Sequence, residues 1–209
     1  MEERITKLLK DKNSKKLRSM FITIEGIDGA GKTTHAKLLA SWLEAKGYSV
    51  FLTKEPTESK VGKLIREILS NASNYNAIVT ALLFAADRAG HVEIIKKELE
   101  KGKIVISERY LHSSLAYQGA SGLSIEWIRE INKFAIPPDI IIYLDISPEM
   151  GIKRISSRNL REIFEKKEFL TKVRETYLSM FKNEKNVVIV DATKEIEKIQ
   201  EEIRSRITL

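Results

Sequence analysis

The chain has 209 residues, and its 43% hydrophobic and 31% charged content is typical of one soluble globular domain with a substantial core. It contains no cysteine, which excludes disulfide bonds and thiol chemistry and fits a reducing, cytoplasmic compartment. No apolar run is long enough to span a bilayer and the N-terminus has no apolar signal core, so we expect no membrane segment.

The net charge of +7 is concentrated at the start of the chain. Residues 1–19 hold seven basic and three acidic side chains, a local charge of +4, so residues 20–209 carry only +3. We predict a basic N-terminal extension over 1–19 and a single domain over 20–209. A basic arm can contact nucleic acid, but a solvated, partly helical extension is the favoured interpretation, so no nucleic-acid partner is expected.

The first predicted strand leads directly into a phosphate-binding sequence. Residues 21–24 (FITI) are typical of a buried strand, and GIDGAGKT then fits the P-loop pattern G-x-x-x-x-G-K-S/T in full. Its glycines let backbone N–H groups point at phosphate oxygens, and the helix that follows presents its positive end. Lys32 is expected to reach the β and γ phosphates and the Thr33 hydroxyl to bind Mg²⁺. The predicted ATP site comprises Gly26, Ile27, Asp28, Gly29, Ala30, Gly31, Lys32, Thr33 and Thr34.

Downstream, short apolar strands alternate with helical patterns. We predict strands at 49–53, 103–107, 140–144 and 187–190, and helices at 61–69, 78–99, 124–134, 149–157, 166–181 and 196–207. Residues 108–122 read as a loop with short helical pieces. This alternation predicts an α/β fold with a parallel sheet covered by helices on both faces, in which ligands bind at the carboxyl ends of the strands.

The end of the third predicted strand suggests how a phosphate acceptor would be held. Glu108 ends the third strand and could support magnesium, whereas Asp145 and Asp191 at other strand ends could simply cap the turns that follow. Arg109 comes directly after Glu108 and is suited to bidentate phosphate binding. A second anion site beside the P-loop suggests an acceptor that itself carries a phosphate.

Other residues point to a nucleotide as that acceptor. Phe84 and Arg88 are spaced i, i+4 and share one helix face, where a ring and a guanidinium could grip a base. The loop after the third strand then brings Ser114, Tyr117 and Gln118 close behind Arg109. A GTPase is not indicated, because the base-reading pattern N-K-x-D is missing.

Together these stretches resemble the thymidylate kinase family. The matching segments are IEGIDGAGKTT, KEPT, LLFAADRAGHV, SERYLHSSLAYQG and PPDIIIYLDISPE, in the family's order, from about Met20 to near the C-terminus. The resemblance implies a P-loop NTPase-type three-layer α/β/α sandwich with a five-stranded parallel sheet of order 2-3-1-4-5. It also implies ATP and Mg²⁺ as donor and cofactor, dTMP as acceptor, and a homodimer.

The resemblance also implies roles for individual residues. Phe84 would stack on thymine, Arg88 would read a base carbonyl, and Arg109 would hold the acceptor phosphate. Tyr117 would lie against the deoxyribose, and Asp28 would reach the acceptor sugar and phosphate. The acceptor site is completed by Lys54, Glu55, Ser114 and Gln118. Three features depart from the family pattern. Glu108 stands where the family commonly has aspartate, Lys54 stands where it usually has arginine, and the lid is short and lacks the aspartate that often precedes its last arginine.

A short Arg-rich lid is predicted over residues 154–165. Family members supply a transition-state cation either from the P-loop residue after the aspartate or from the lid, and here that P-loop residue is Gly29. We therefore expect Arg158 and Arg161 to be catalytic and Arg154 to contact ATP. The predicted reaction is ATP + dTMP giving ADP + dTDP. The alternatives are a kinase for another nucleoside monophosphate or a deoxynucleoside, and an ATP-dependent switch with no small acceptor.

Overall fold

The computed structural model describes residues 19–70, 76–155, 160–182 and 184–207, with the backbone alone over 160–165. Its centre is an all-parallel sheet of order β2-β3-β1-β4-β5, which confirms the predicted fold class and strand order. The strands are β1 Met20–Glu25, β2 Val50–Lys54, β3 Ile104–Glu108, β4 Ile140–Asp145 and β5 Val187–Asp191.

Helices cover both faces of this sheet, as near-continuous apolar strands require. Phe21 and Val105 face a cluster with Val92 and Ile95, whereas Ile22 faces the larger cluster on the other side. The helices of the described residues are α1 Lys32–Ala45, α2 Lys60–Ser70, α3 Ala77–Glu100, α4 Leu111–Ala120, α5 Ile125–Ile131, α6 Pro148–Ile155, α7 Leu160–Phe181 and α8 Ile196–Ser205. Of these described helices, none is both long and apolar enough to cross a membrane.

The parallel register brings the carboxyl ends of the strands to one edge. Glu108 lies opposite both Ile24 of β1 and Lys54 of β2, and Asp145 lies opposite Asp191. The loops that leave these strand ends therefore converge above the sheet. This edge is where the sequence places the P-loop and the residues after β3.

The segment after β3 was predicted as a loop with short helical pieces, and the loop part of that prediction is wrong. Residues 111–120 form the continuous helix α4, which packs mainly against α7. Most of α4 is buried, including the polar side chains of His112, Ser114 and Gln118, so no apolar stripe with helical period marks it in the sequence. The Ser124 cap is confirmed, since its hydroxyl accepts a hydrogen bond from the Trp127 N–H (3.2 Å), but α5 ends at Ile131 rather than at residue 134.

Several predictions concern residues outside the described part of the chain. Residues 1–18, almost all of the basic extension, lie there. So does Arg158, and Arg161 lies where only the backbone of α7 is described. The extension and the roles of these two lid arginines therefore stay predictions.

Candidate active site

The P-loop joins β1 to α1 with its glycines in the left-handed region of backbone space. Gly29 has φ of 82° and Gly31 has φ of 91°, conformations that residues with side chains rarely adopt. A Cβ atom at Gly29 would also overlap the carbonyl oxygen of Gly151 in α6. The loop is therefore pressed against α6, and position 29 has no room for a side chain.

The Lys32 ammonium lies over the P-loop backbone. Its Nζ donates hydrogen bonds to the carbonyl oxygens of Gly26 (3.1 Å) and Ile27 (2.8 Å), and the side chain is almost fully buried. Burial, and then the positive charge of Arg109, lower the pKa of Lys32 to about 7, although Asp28 and Glu108 act in the opposite direction. Anionic phosphate oxygens at this position would favour the charged form.

A cavity of about 730 Å³ opens beside the P-loop. On one side it is closed by Arg154, whose guanidinium donates to the carbonyl oxygens of Gly29 (3.3 Å) and Ala192 (3.0 Å). This volume suits a nucleoside triphosphate, and we call it the donor cavity. Its lining comprises Asp28, Gly29, Gly31, Lys32, Thr33, Thr34, His35, Glu108, Arg109, Arg154, Ile155, Lys166, Ala192, Lys194, Ile196 and Ile199.

One pair of side chains in the donor cavity has the chemistry of a magnesium site. The Thr33 hydroxyl donates to the Glu108 carboxylate (2.8 Å), so a hydroxyl and a carboxylate oxygen lie together at the start of α1. Such oxygens are the ligands Mg²⁺ prefers when phosphates and waters complete its shell. Over the described residues, no cluster of three or more His, Cys, Asp or Glu side chains is placed to bind a metal without a substrate.

A second cavity of about 350 Å³ lies between α3, α4 and α7, and we call it the acceptor cavity. Eight of the nine predicted acceptor residues line it. Lys54 does not, because its ammonium pairs with Glu58 (3.0 Å) and it faces a third cavity beside β2. The acceptor cavity is lined by Asp28, Glu55, Pro56, Leu69, Phe84, Arg88, Arg109, Tyr110, Ser113, Ser114, Tyr117, Gln118, Lys166, Phe169 and Leu170.

Arg88 is fixed at one end of the acceptor cavity. Its side chain is 1% exposed and pairs with the Glu55 carboxylate through Nε (3.0 Å) and Nη2 (2.6 Å). Nη1 donates to Asn132 Oδ1 (2.5 Å), and Nη2 also donates to the Ser114 hydroxyl (2.9 Å) and the Tyr110 carbonyl (3.2 Å). Because Nη1 carries two hydrogens, one remains without a partner among the described residues. That N–H is the donor that suits a base carbonyl.

Arg109 sits at the other end of the acceptor cavity and has an unusual backbone. Its φ of 67° lies in the left-handed region, which costs a residue with a side chain about 1–3 kcal/mol and is often found at functional sites. The guanidinium forms an ion pair with Asp28 and donates weakly to the Tyr117 hydroxyl (3.4 Å), over whose ring it lies. Burial would raise the pKa of Asp28, but Arg109 and Lys32 outweigh it and hold that pKa below its usual value.

A buried hydrogen-bond chain supports Arg109 from behind. Its Nη1 donates to the Ser113 hydroxyl (3.2 Å), which donates to the Glu25 carboxylate (2.6 Å). The Tyr177 hydroxyl donates to the same carboxylate oxygen (3.0 Å), and Glu25 is fully buried. The guanidinium is thus oriented by carboxylates on both sides, one directly and one through a hydroxyl.

The donor and acceptor cavities meet. Asp28, Arg109 and Lys166 line both of them, so a phosphate chain in one cavity would reach the contents of the other at these three side chains. This arrangement suits phosphoryl transfer between two bound nucleotides, because it brings two anionic groups together among cationic side chains.

Comparison with known proteins identifies the family. A family model described as thymidylate kinase matches residues 24–203, most of the chain. The chain belongs to the thymidylate kinase family. Similar relatives, each called a probable thymidylate kinase, occur in Thermococcus onnurineus (48% identity, 88% of this chain and 95% of the relative), Pyrococcus abyssi (49%, 90% and 95%) and Methanocaldococcus jannaschii (46%, 88% and 94%).

Sequence reasoning missed several residues of this thymidylate kinase family site. Ala192, Lys194 and Ile196 line the donor cavity just after β5, and the rule that sites lie at strand ends had already drawn attention to Asp191 there. Asn132 follows α5, and no sequence signal connects it with Arg88. Lys166 lay inside the predicted helix 166–181 without a sign of its position between the cavities.

Proposed function

We propose that the chain is a thymidylate kinase that transfers the γ-phosphoryl group of ATP to dTMP, giving ADP and dTDP, a step toward dTTP. The observation that carries the proposal is the junction of a nucleotide-sized donor cavity with a smaller acceptor cavity at Asp28, Arg109 and Lys166. A switch without a small acceptor has no need of the second cavity. Family membership supports the choice of dTMP.

In this proposal the acceptor cavity holds dTMP with its base near Arg88 and its phosphate near Arg109. Phe84 supplies a ring for stacking on thymine, and Arg88 supplies an N–H for a base carbonyl, while Ser114 and Gln118 line the same region. Arg109 suits the phosphate because its guanidinium is oriented by its contacts with Asp28 and Ser113.

The proposed reaction is a direct in-line displacement. An oxygen of the dTMP phosphate attacks the γ-phosphorus of ATP, one P–O bond forms, and the bond to the bridging oxygen breaks with its electron pair going to ADP. The nucleophile is already anionic at neutral pH, so no base is required. The protein's part is to position both phosphates and to neutralise charge with Lys32 and Arg109.

Magnesium fits the pair formed by Thr33 and Glu108. We propose that Thr33 holds the ion and that Glu108 supports it, because the hydroxyl and the carboxylate are hydrogen bonded and line the donor cavity. When bound, the ion would neutralise phosphate charge and orient the polyphosphate. Glu108 orients the Thr33 hydroxyl through their hydrogen bond, and this role does not require the carboxylate to bind the metal directly.

A panel of acceptors tests the proposed function. ADP formation from ATP would be measured with dTMP, dUMP, UMP, dCMP, dGMP, dAMP and thymidine, and with no acceptor. We expect the highest kcat/KM with dTMP and little ADP without an acceptor. A higher kcat/KM for another monophosphate or for thymidine would instead indicate a kinase for that acceptor. Steady hydrolysis unaffected by any acceptor would instead support an ATP-dependent switch.

We also propose that the protein forms a homodimer. Leu64 of α2 and Ile78, Val79 and Leu82 of α3 are each more than 40% exposed on two helices that pack side by side. Large apolar side chains on neighbouring helices are typical of a protein interface. Light scattering should give a dimer for the parent chain and a monomer for Leu82→Glu, and a monomeric parent chain would overturn this proposal.

A further inference from the structure

One face of α7 points toward the junction of the two cavities. Lys166, Phe169 and Leu170 follow the i, i+3, i+4 spacing and so lie on the same face. Phe169 and Leu170 line the acceptor cavity, and Leu170 is buried at 1% exposure, which fixes this face toward the protein interior. Lys166 is one turn earlier and lines both cavities. Its charge also contributes to lowering the pKa of the Asp28 carboxyl.

A cation that stabilises the transferring phosphoryl group at the junction of the two cavities cannot come from the P-loop position after Asp28. That position is Gly29, and a Cβ atom there would overlap the Gly151 carbonyl oxygen, so any side chain would have to displace α6. An arginine substituted at position 29 would therefore not fit without a shift of α6.

The other charges at the junction are largely matched. Arg109 forms an ion pair with Asp28, so these two shared residues carry no net charge together. Lys166 is the third described residue that lines both cavities, and its ammonium adds one positive charge to this pair. Two nucleotides would bring several negative charges to this point, and the charge of the migrating phosphoryl group spreads over its oxygens in the transition state.

We propose that Lys166 is a catalytic residue whose ammonium contacts oxygens of the transferring phosphoryl group from the side of α7. The inference rests on the proposed phosphoryl transfer between the two cavities. The bonds that form and break are those given above, and Lys166 neither gains nor loses a proton. Its role is charge stabilisation, which is strongest in the transition state and therefore affects kcat more than substrate affinity.

The chain offers a matched control in the next residue. Lys167 has the same side chain on the same helix, but its ammonium pairs with Glu149 of α6 (2.8 Å) and it lines neither cavity. Removing either lysine changes the net charge and the composition of α7 equally. A difference between the two variants therefore reports the position of Lys166 at the junction.

The experiment compares Lys166→Ala, Lys166→Arg and Lys167→Ala in the full chain, by steady-state dTMP phosphorylation, single-turnover phosphoryl transfer and thermal melting. We expect Lys166→Ala to lower kcat and the single-turnover rate by about 10²-fold or more, with KM for ATP and dTMP within a few-fold. Lys166→Arg should recover most of the loss, and Lys167→Ala should match the parent. All variants should melt at similar temperatures.

Three results would overturn the role of Lys166 while leaving the proposed function intact. The first is a parent chain that phosphorylates dTMP together with a Lys166→Ala variant within a few-fold of it. The second is an equal loss in Lys166→Ala and Lys167→Ala, and the third is a loss that Lys166→Arg does not recover. A parent chain without dTMP kinase activity would overturn the proposed function and this inference with it.

Discussion

Arg88 and Glu55 form a buried ion pair at the end of the acceptor cavity, with 2.6 Å between Nη2 and Oε2 and at most 2% of either side chain exposed. A buried charge that loses its partner remains desolvated without compensation. The pair therefore contributes to the stability of the fold, and the same two side chains line the cavity that would receive the base. Since Glu55 also contacts His91 Nδ1 (3.0 Å), its two oxygens are both engaged.

Replacing Glu55 by Gln should destabilise the protein markedly. The substitution keeps the shape of the side chain but leaves the Arg88 guanidinium buried without a counter-charge, at a cost of about 3 kcal/mol. Urea unfolding would measure the change. Glu58→Gln is the matched control, since Glu58 lies in the same loop with 67% of its side chain exposed, and its unfolding midpoint should stay near that of the parent. Equal midpoints for the two variants would contradict the expectation.

Asn132 should affect acceptor binding although it does not line the acceptor cavity. Its Oδ1 accepts from Arg88 Nη1, and it is itself held by a hydrogen bond from Nδ2 to the Ile128 carbonyl (2.8 Å). Asn132→Ala removes the acceptor that orients Nη1, while the contacts of Nε and Nη2 with Glu55 remain. We expect KM for dTMP to rise about tenfold, equivalent to one hydrogen bond of about 1.4 kcal/mol, while KM for ATP stays unchanged. Parallel changes in both KM values would indicate a general structural effect instead.

The lowered pKa of Lys32 leads us to predict that ATP binding is accompanied by proton uptake. Its pKa in the folded protein is lowered from 10.5 to about 7, so above that value the free protein holds it mostly neutral. Phosphate oxygens favour the charged form, and binding at about pH 8.5 should therefore take up close to one proton, compared with little at about pH 6. Calorimetry of MgATP binding in buffers of different ionisation enthalpy measures this number. Equal uptake at both pH values would contradict the lowered pKa.

The same lowered pKa has a consequence for stability, whose sign follows from proton binding. Between about pH 7 and 10.5 the unfolded chain binds more protons at Lys32 than the folded protein does. The contribution of Lys32 to the free energy of unfolding therefore rises with pH across this window, as the cost of burying the ammonium disappears. Lys32→Met should flatten this part of the profile, as measured by urea unfolding at several pH values.

Tyr117 should discriminate against ribonucleotides through its ring. Its hydroxyl is held by Asp28 (3.2 Å), and burial first of all raises the pKa of Tyr117 to about 12, so the hydroxyl stays neutral. A 2′-hydroxyl against this ring would clash or be buried without a partner, which costs about 1–3 kcal/mol. Tyr117→Ala should narrow the ratio of kcat/KM for dTMP over its ribose counterpart. Tyr117→Phe, which keeps the ring, should preserve that ratio if the ring is responsible.

The parts of the site that were predicted from the sequence are those encoded in contiguous motifs. The P-loop needs glycines and a lysine at fixed spacing, because backbone N–H groups must surround a phosphate. Phe84 and Arg88 were singled out by their i, i+4 spacing and Arg109 by its position directly after the third strand, and the structure places all three around one cavity. The strands were found because parallel strands buried on both faces are short, continuous apolar runs.

The residues that were missed acquire their roles only through packing. Asn132 reaches Arg88 across 44 positions of the chain, and nothing near it in the sequence differs from an ordinary helix end. Lys166 is one of many lysines and becomes distinctive only because Phe169 and Leu170 turn its face of α7 inward. Helix α4 was missed because burial on several sides removes the apolar stripe by which amphipathic helices are predicted.

The three residues shared by the donor and acceptor cavities mean that neither nucleotide can bind in an environment independent of the other. A phosphate that contacts Arg109 changes the potential felt by the ligand in the adjoining cavity, and this interaction is a coupling free energy between the two sites. Such coupling is reciprocal, so the factor by which ATP changes the affinity for dTMP equals the factor by which dTMP changes the affinity for ATP. Any cooperativity between the two substrates would then follow from the electrostatics of one small patch, without any change of fold.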